Sequence, residues 1–297
     1  MKSGFVALAG RPNAGKSTLL NGLLKEKVAI VSPKPQTTRS EIRGILTSEN
    51  SQIVFTDTPG IHKAQYRLGA RMNKEAADVM MGVDLIYLVV DGSVPFGEGD
   101  KYVLNMVKNT GLPVFLILNK VDKMSREKII ANLQSWSSRF EFAEYFPISA
   151  LKDKTFKDLI KATEKYLPEG EYLYPPEMTV DGSENFRIAE VIREKVLLCT
   201  EEEIPHATAV LVESKKFTKK SCYIQAMILV EKKSQKVIMI GKQGAMLKKI
   251  GSMAREELEG LLGKKVYLEL FVRVEDEWRS RDARISEYGY GGAFRDE

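Results

Sequence analysis

Cysteine, histidine and tryptophan each occur only twice in the 297 residues, and long apolar runs are missing. The cysteines, Cys199 and Cys222, stand too far apart for a metal motif and form no CxxC pair, so neither a disulfide scaffold nor a thiolate metal site is expected. Two inert core thiols in a reducing cytosol fit better. With His62 and His206 as the only histidines, no metal-ligand cluster emerges. The longest apolar runs, 85–90 and 114–118, have the length of buried strands and fall well short of the ~20 residues of a membrane span. The start, MKSGFVALAG, meets a glycine-rich loop too early for a secretory signal and reads as a first strand. Internal repeats and low-complexity tracts are absent as well.

What remains is a globular composition, 43% hydrophobic and 29% charged, with length for two ordinary domains. The net charge of +5 is unevenly spread: residues 185–275 carry 17 Lys+Arg against 12 Asp+Glu, and the rest of the chain balances at 28 against 28. A mildly basic surface of this kind is compatible with plain solvation as well as with an anionic partner.

Over 5–167 short apolar runs (FVALAG, IVFTDTPG, DLIYLVVDG, VFLILNK, YFPIS) alternate with helical patterns. That alternation predicts an α/β domain, 1–167, with a mostly parallel sheet, helices on both faces and a ligand at the carboxyl ends of its strands. The stretch 168–185, with three prolines and no sustained period, reads as a linker. A smaller α+β domain, 186–275, follows as helix, two alternating strands, a short VIMI strand, a glycine loop, a helix and a last strand. Residues 276–297 form a tail in which Trp278 and Tyr288 could pack on that domain or reach a bound partner.

After the first strand, Gly10, Arg11, Pro12, Asn13, Ala14, Gly15, Lys16 and Ser17 match GxxxxGK[ST], and Thr18 continues into a helix. Glycines let backbone N–H groups close on phosphates at a helix N-terminus, Lys16 supplies a point charge to the β and γ oxygens, and the Ser17 hydroxyl suits Mg²⁺. At the end of IVFT come Asp57, Thr58, Pro59 and Gly60: a carboxylate for Mg²⁺ through water, and an N–H for the γ-phosphate. Asn119, Lys120 and Asp122 end the VFLIL strand. A fixed carboxylate on Asp122 accepts both guanine N1–H and the N2 amine, which adenine lacks, so the motif names the base as guanine. The Lys120 stem would lie on the base plane. Ser149 and Ala150 end the next strand, where a backbone N–H would meet guanine O6.

Of three GxxG strings, only Gly241, Lys242, Gln243 and Gly244, preceded by Ile240, stand before a helix with basic neighbours, Lys248 and Lys249. There backbone N–H groups and a helix N-terminus would clamp a nucleic-acid backbone. The other two, Gly260 to Gly263 and Gly289 to Gly292, lack that setting.

The nucleotide motifs, in this order at strand ends, resemble the translation-factor-related branch of P-loop GTPases over residues 1–167, and the second domain resembles a KH domain of the bacterial type (type II). Together GRPNAGKS, PQTTR, DTPG, NKVD, ISA and IGKQGAMLKKIG resemble the Era family across nearly the whole chain. The resemblance implies GTP and GDP as ligands and a role in assembly and maturation of the small ribosomal subunit. It also implies a grip on single-stranded 16S ribosomal RNA near its 3′ end, and a cytoplasmic protein with a peripheral station at the inner face of the cell membrane. It further implies that a threonine of the first switch loop closes on Mg²⁺. Thr37 and Thr38 both fit by chemistry, with preference for Thr38, which precedes the arginine. Catalytic roles accordingly fall to Lys16, Thr38, Gly60 and Asn13. Where Ras-like proteins have a water-orienting glutamine this chain has Ile61, so intrinsic hydrolysis should be slow. Similar GTPases with an asparagine at the Asn13 position recruit K⁺ beside the phosphates. A different class of function, an RNA-binding module whose nucleotide site is only a structural brace, is disfavoured by the intact Lys16, Ser17, Asp57 and Asp122. A GTPase acting in tRNA modification would lack the KH-like part.

Overall fold

The computed structural model describes residues 1–290. By packing, the chain divides into one unit of Met1–Val31, Thr38–Gln65 and Gly69–Asp181, and another of Ser32–Thr37, Tyr66–Leu68 and the chain from Gly182 onward.

The first unit holds a seven-stranded sheet: β1 (Lys2–Ala9), β2 (Ile42–Thr47), β3 (Ser51–Asp57), β4 (Leu85–Asp91), β5 (Val114–Asn119), β6 (Glu144–Pro147) and β7 (Val180–Asp181). Their spatial order is β6-β5-β4-β1-β3-β2-β7. The five strands from β6 to β3 are parallel, while β2 and β7 run antiparallel at the far edge. Helices α1 (Lys16–Leu24), α2 (Arg67–Met81), α3 (Glu98–Lys108), α4 (Arg126–Ser137) and α5 (Lys157–Tyr166) connect them. Alternation along the strands sorts these helices to two faces. Ile86, Leu88, Leu116 and Leu118 pack with Ala76, Met80, Val103, Leu104 and Trp136 of α2, α3 and α4. The intervening Tyr87 and Phe115 stack 5.7 Å apart and turn to α5, where Tyr87 bonds Thr163 and Phe115 meets Tyr166 edge-on at 5.0 Å. The stretch expected as a linker lies along the sheet as far as Asp181. Gln52 accepts from Leu173 N and Tyr174 N and donates to Tyr174 O, and β7 pairs with β2. Because the strands are parallel, the loops after β1, β3 and β5 gather at one edge of the sheet.

In the second unit follow α6 (Glu184–Cys199), α7 (Ile204–Ala207), β8 (Ala209–Phe217), β9 (Ser221–Val230), α8 (Lys233–Ile240), α9 (Ala245–Leu262), β10 (Lys265–Val274) and α10 (Asp282–Glu287). Its sheet has the order β10-β9-β8, with β8 antiparallel and β10 parallel to β9. Ile188, Ile192 and Val196 of α6, Met239 of α8 and Ile250, Ala254 and Leu258 of α9 bury one face of it.

The VIMI segment, expected as a strand, is the last turn of α8. Gln235 starts that helix by accepting from Glu231 N and Lys232 N, and Gln235 and Met239, one turn apart, are its buried residues. The apolar run therefore does not form a buried strip. Val237 and Ile238 stand 70% and 52% exposed.

The tail packs on this unit: Trp278 is fully buried, its indole N–H donates to Ala207 O at 2.8 Å, and Tyr288 meets it edge-on at 5.7 Å. Gly292, of the third GxxG string, lies outside the described residues. No described helix is long and apolar enough to cross a membrane.

Candidate nucleotide-binding and RNA-binding sites

β1 ends at Ala9, and the chain turns through 10–15 into α1. Gly15 takes φ 100°, and a Cβ there would run into the Asn119 side-chain amide, so the loop closes on β5 only with glycine at this position. The N-terminus of α1 thereby opens onto the loop, the geometry that favours an anion.

Lys16 is buried, its Nζ 3.2 Å from Gly10 O and 3.1 Å from Arg11 O. Burial pulls its ammonium below the ordinary lysine value, and Asp57 pulls back. Asp57 is fully buried too. Burial raises its carboxyl above the usual range against the opposing effects of Lys16, Ser17 and Thr38. Its Oδ2 accepts from Ser17 Oγ at 2.6 Å and Thr38 Oγ1 at 3.1 Å, and those two hydroxyls lie 2.9 Å apart. Oδ1 is buried with no hydrogen-bond partner among the described residues. Two hydroxyls and a carboxylate with an unclaimed oxygen form an all-oxygen set that fits a hard cation such as Mg²⁺. The alternative threonine points elsewhere: Thr37 Oγ1 donates to Lys34 O at 2.7 Å and lies 2.8 Å from Ser32 Oγ.

Of the other loop residues, Arg11 is tied to Asp100 at 2.9 Å, Ala14 N–H donates to Arg11 O at 3.3 Å, and Asn13 is exposed with φ 62°. Pro12 and Thr18 are half-buried. Thr58 turns inward and donates to Leu8 O at 2.8 Å, beside the buried Pro59. Gly60 leads into Ile61, which is buried among the residues between the sheet and its helices and donates its N–H to Gly10 O at 3.1 Å. His62 Nδ1 lies 2.8 Å from Gly60 O, so its ring holds the loop.

At the base end, Asn119 Nδ2 donates to Ala14 O at 2.8 Å, and its Oδ1 accepts from Ala150 N at 2.9 Å and Lys120 N at 2.7 Å. One side chain thus fastens the P-loop, the NKVD turn and the segment after β6. Ser149 Oγ donates to Asp122 Oδ1 at 2.6 Å; that bond, first among several causes, holds the Asp122 carboxyl below its ordinary value. Lys120 Nζ lies 2.7 Å from Asn13 O and 2.6 Å from Asp91 Oδ2. Both N–H groups named for guanine O6 already have acceptors, Ser149's being Asp153 Oδ2 at 2.8 Å and Ala150's being Asn119. Sequence reasoning missed Asp91, Asp100 and Asp153. Asp91 alone had a usable signal, as an acid at the end of an apolar strand.

In the second unit, Gly241 (φ 73°), Gln243 (φ 52°) and Gly244 (φ 79°) bend the chain from α8 into α9. A Cβ on Gly241 would lie 2.8 Å from Met246 N, so the turn requires glycine there. Lys242, Gln243, Lys248 and Lys249 are exposed and Ile240 half-buried. Val237 and Ile238 bring an apolar surface to this turn that the strand reading of VIMI had hidden.

A family model described as a 50S ribosome-binding GTPase matches residues 5–120, and a KH domain model matches 203–279. A protein called GTPase Era from Clostridium kluyveri (strain ATCC 8527) is 49% identical over 291 residues, covering 98% of this chain and 99% of the relative. The chain belongs to the Era family of GTPases. GTPase Era of Clostridium botulinum (strain Okra) is 47% identical over 290 residues, with 97% and 98% covered. Among solved structures, a tyrosine-to-alanine variant of Aquifex aeolicus Era bound to GDP·AlF4⁻ matches with TM-score 0.94 at 39% identity, over 98% of this chain and 99% of that one. A structure of Era in complex with MgGDPNP and nucleotides 1506–1542 of 16S ribosomal RNA matches to the same extent, with TM-score 0.94, 39% identity, and 98% and 99% covered. The GTPase model falls mostly on the first unit, and the KH model lies within the second.

Proposed function

We propose that this chain hydrolyses GTP and uses the nucleotide cycle to govern its hold on a single-stranded segment near the 3′ end of small-subunit ribosomal RNA, acting in assembly and maturation of that subunit. The observation that carries the reading is the convergence of Lys16, Ser17, Thr38 and Asp57 at the P-loop, which Asn119 ties to the segments that carry Asp122 and Ser149. In this assignment the loop from Gly10 to Gly15 cradles the phosphates, and Lys16 places its charge on the β and γ oxygens. Ser17, Thr38 and, through water, Asp57 hold Mg²⁺, and the Gly60 N–H meets the γ-phosphate. Mg²⁺ held by these residues would supply positive charge to offset the negative charge that develops on the phosphates. Asn13 belongs to the same reading as a ligand for K⁺. The buried Ile61 cannot orient water, which supports slow intrinsic hydrolysis.

The RNA half of the proposal rests on the GxxG turn. Lys242, Lys248 and Lys249 are exposed beside it, and the apolar Val237 and Ile238 adjoin it. The relative solved with 16S ribosomal RNA supports this assignment. A cytoplasmic location with a peripheral membrane station is part of the same reading, supported by family resemblance and the basic excess.

Two measurements test it. Single-turnover phosphate release with Mg²⁺ and RNA should show hydrolysis; none would leave the nucleotide site a structural brace. Titration of the rRNA 3′ segment against the apo, GDP and GTP-analogue forms at fixed salt should give tighter binding with the analogue by several-fold to about a hundredfold, the usual span of coupling between sites. Identical isotherms would overturn the switch. Lys242→Asp with Gln243→Asp should weaken RNA binding and leave GTP affinity unchanged.

A further inference from the structure

The outer face of the three-stranded sheet has no role in the function proposed above. Register fixes what it presents: Cys222, Ile224, Ala226 and Ile228 belong to the buried cluster shared with α6 and α9, so the residues between them point the other way. Lys216, Tyr223 and Tyr267 form one row across this face, and Ser214, Gln225 and Glu269 the next. The two tyrosine rings are nearly parallel, 9° between planes and 4.7 Å between centroids, and stand 47% and 44% exposed. The neighbouring row is linked by hydrogen bonds, Ser214 Oγ to Gln225 Oε1 at 2.8 Å and Gln225 Nε2 to Glu269 Oε2 at 2.7 Å. A groove of ≈ 570 Å³ lies over both rows, with Glu269 its sole acidic lining residue. Two residues beyond, Phe271 adds an apolar ring that is 43% exposed.

Positive charge rims the tyrosine row. Lys219 and Lys220, in the β8–β9 turn, meet Lys264 and Lys265 at the start of β10, where Lys265 N–H donates to Lys220 O at 3.3 Å. The Lys265 ammonium lies 5.3 Å from the Tyr267 ring centroid. Neither these four lysines nor Lys216 forms an ion pair among the described residues, whereas Lys215 is paired with Glu184.

We propose that this face is a second RNA surface, one that takes unpaired nucleotides. Bases stack on the Tyr223–Tyr267 platform, the Gln225 amide meets a base edge, and Lys216, Lys219, Lys220 and Lys265 meet phosphates. Exposed aromatic faces flanked by cations suit unstacked bases, because every base offers a π-face, whereas a duplex hides its base faces and would gain from the lysines alone. The proposal rests on the reading that the chain binds RNA, but it uses no residue of the GxxG turn.

The test uses the full chain and a 4-thiouridine-containing unstructured RNA of about 20 nucleotides, longer than the roughly four a GxxG loop clamps. Photo-crosslinks are expected on β9 or β10 peptides as well as near Lys242. Tyr223→Ala with Tyr267→Ala should weaken binding about tenfold, the scale of one lost base stack, with GTP affinity unchanged and the Phe pair close to the parent. Should the alanine pair fail to fold, Lys219→Glu with Lys220→Glu, in an exposed turn, probes the same surface. Unchanged affinity and no crosslink on β9 or β10 would overturn the proposal, while a loss confined to the Lys242/Gln243 variant would leave the GxxG reading intact. If no variant altered binding, the RNA reading itself would fall.

Discussion

Ser149 donates its hydroxyl to Oδ1 of Asp122 at 2.6 Å. The bond orients the carboxylate and favours its ionised form, so the selectivity for guanine rests on a held acceptor rather than on a mobile side chain. Asp122→Asn should therefore exchange preference for GTP for preference for xanthosine triphosphate, because the amide donates to the 2-oxo group where the carboxylate accepted from an amine. Ser149→Ala should keep the guanine preference and weaken GTP by about fivefold, one hydrogen bond of about 1 kcal/mol. Competition titrations with a fluorescent nucleotide measure both. Unaltered GTP affinity with no gain for the xanthine nucleotide would refute the assignment.

Asn119 should matter for folding as much as for binding. Asn119→Ala removes the donor to Ala14 O and the acceptor for Ala150 N, two buried groups left unpaired. A loss of about 1–3 kcal/mol in urea unfolding of the nucleotide-free protein is expected. A purely base-contacting residue would leave that midpoint unmoved.

Potassium should raise the hydrolysis rate relative to sodium in the parent protein, and Asn13→Ala should abolish the difference. Steady-state phosphate release in matched chloride salts is the measurement, and equal rates in the parent would end the idea.

Glu75 of α2 supplies a pH prediction. Its Oε1 accepts from Glu41 N at 2.6 Å, its Oε2 is buried without a hydrogen-bond partner among the described residues, and burial pushes the carboxyl from 4.5 to about 7. Glu41 and Asp78 push the same way, while the bond from Glu41 N and the charge of Arg71 oppose. The folded value lies above the unfolded one, so the folded chain holds a proton that the unfolded chain has released. Stability from the neutral form is complete below about pH 4.5 and is lost as pH rises through about 7. Glu75→Gln should be more stable than the parent at pH 8 by up to about 3 kcal/mol, with the gap closing towards pH 5. A gap that does not change with pH would point to another cause.

The parallel strands, the P-loop, DTPG and NKVD were legible because each demands particular residue types over a few consecutive positions. The antiparallel β2 was not: Gly44 and Arg43 break its pattern, and its place beside β3 is a long-range pairing. The VIMI segment misled because its apolar side chains suit a strand, while the decision lay in Gln235 capping the preceding backbone and in Gln235 and Met239 falling one helical turn apart. Lys16 was legible as a phosphate ligand, but its burial against two loop carbonyls was not, because that placement is set by the closure of the loop rather than by its own neighbours in sequence. Thr37 and Thr38 are chemically alike, and only the three-dimensional path of the loop separates the one near Asp57 from the one near Lys34.

The contact between Gly15 and the Asn119 amide also bears on how such a protein changes over generations. No side chain fits at Gly15 while Asn119 stands where it does, and Asn119 in turn fastens Ala14 and Ala150. A mutation at either position is therefore judged by the state of the other, and a first strand and loop borrowed from a distant P-loop protein would arrive without its matching β5. The phosphate-binding and base-binding halves should be exchanged between lineages together or not at all, so that recombination breakpoints fall outside the span from β1 to the segment after β6.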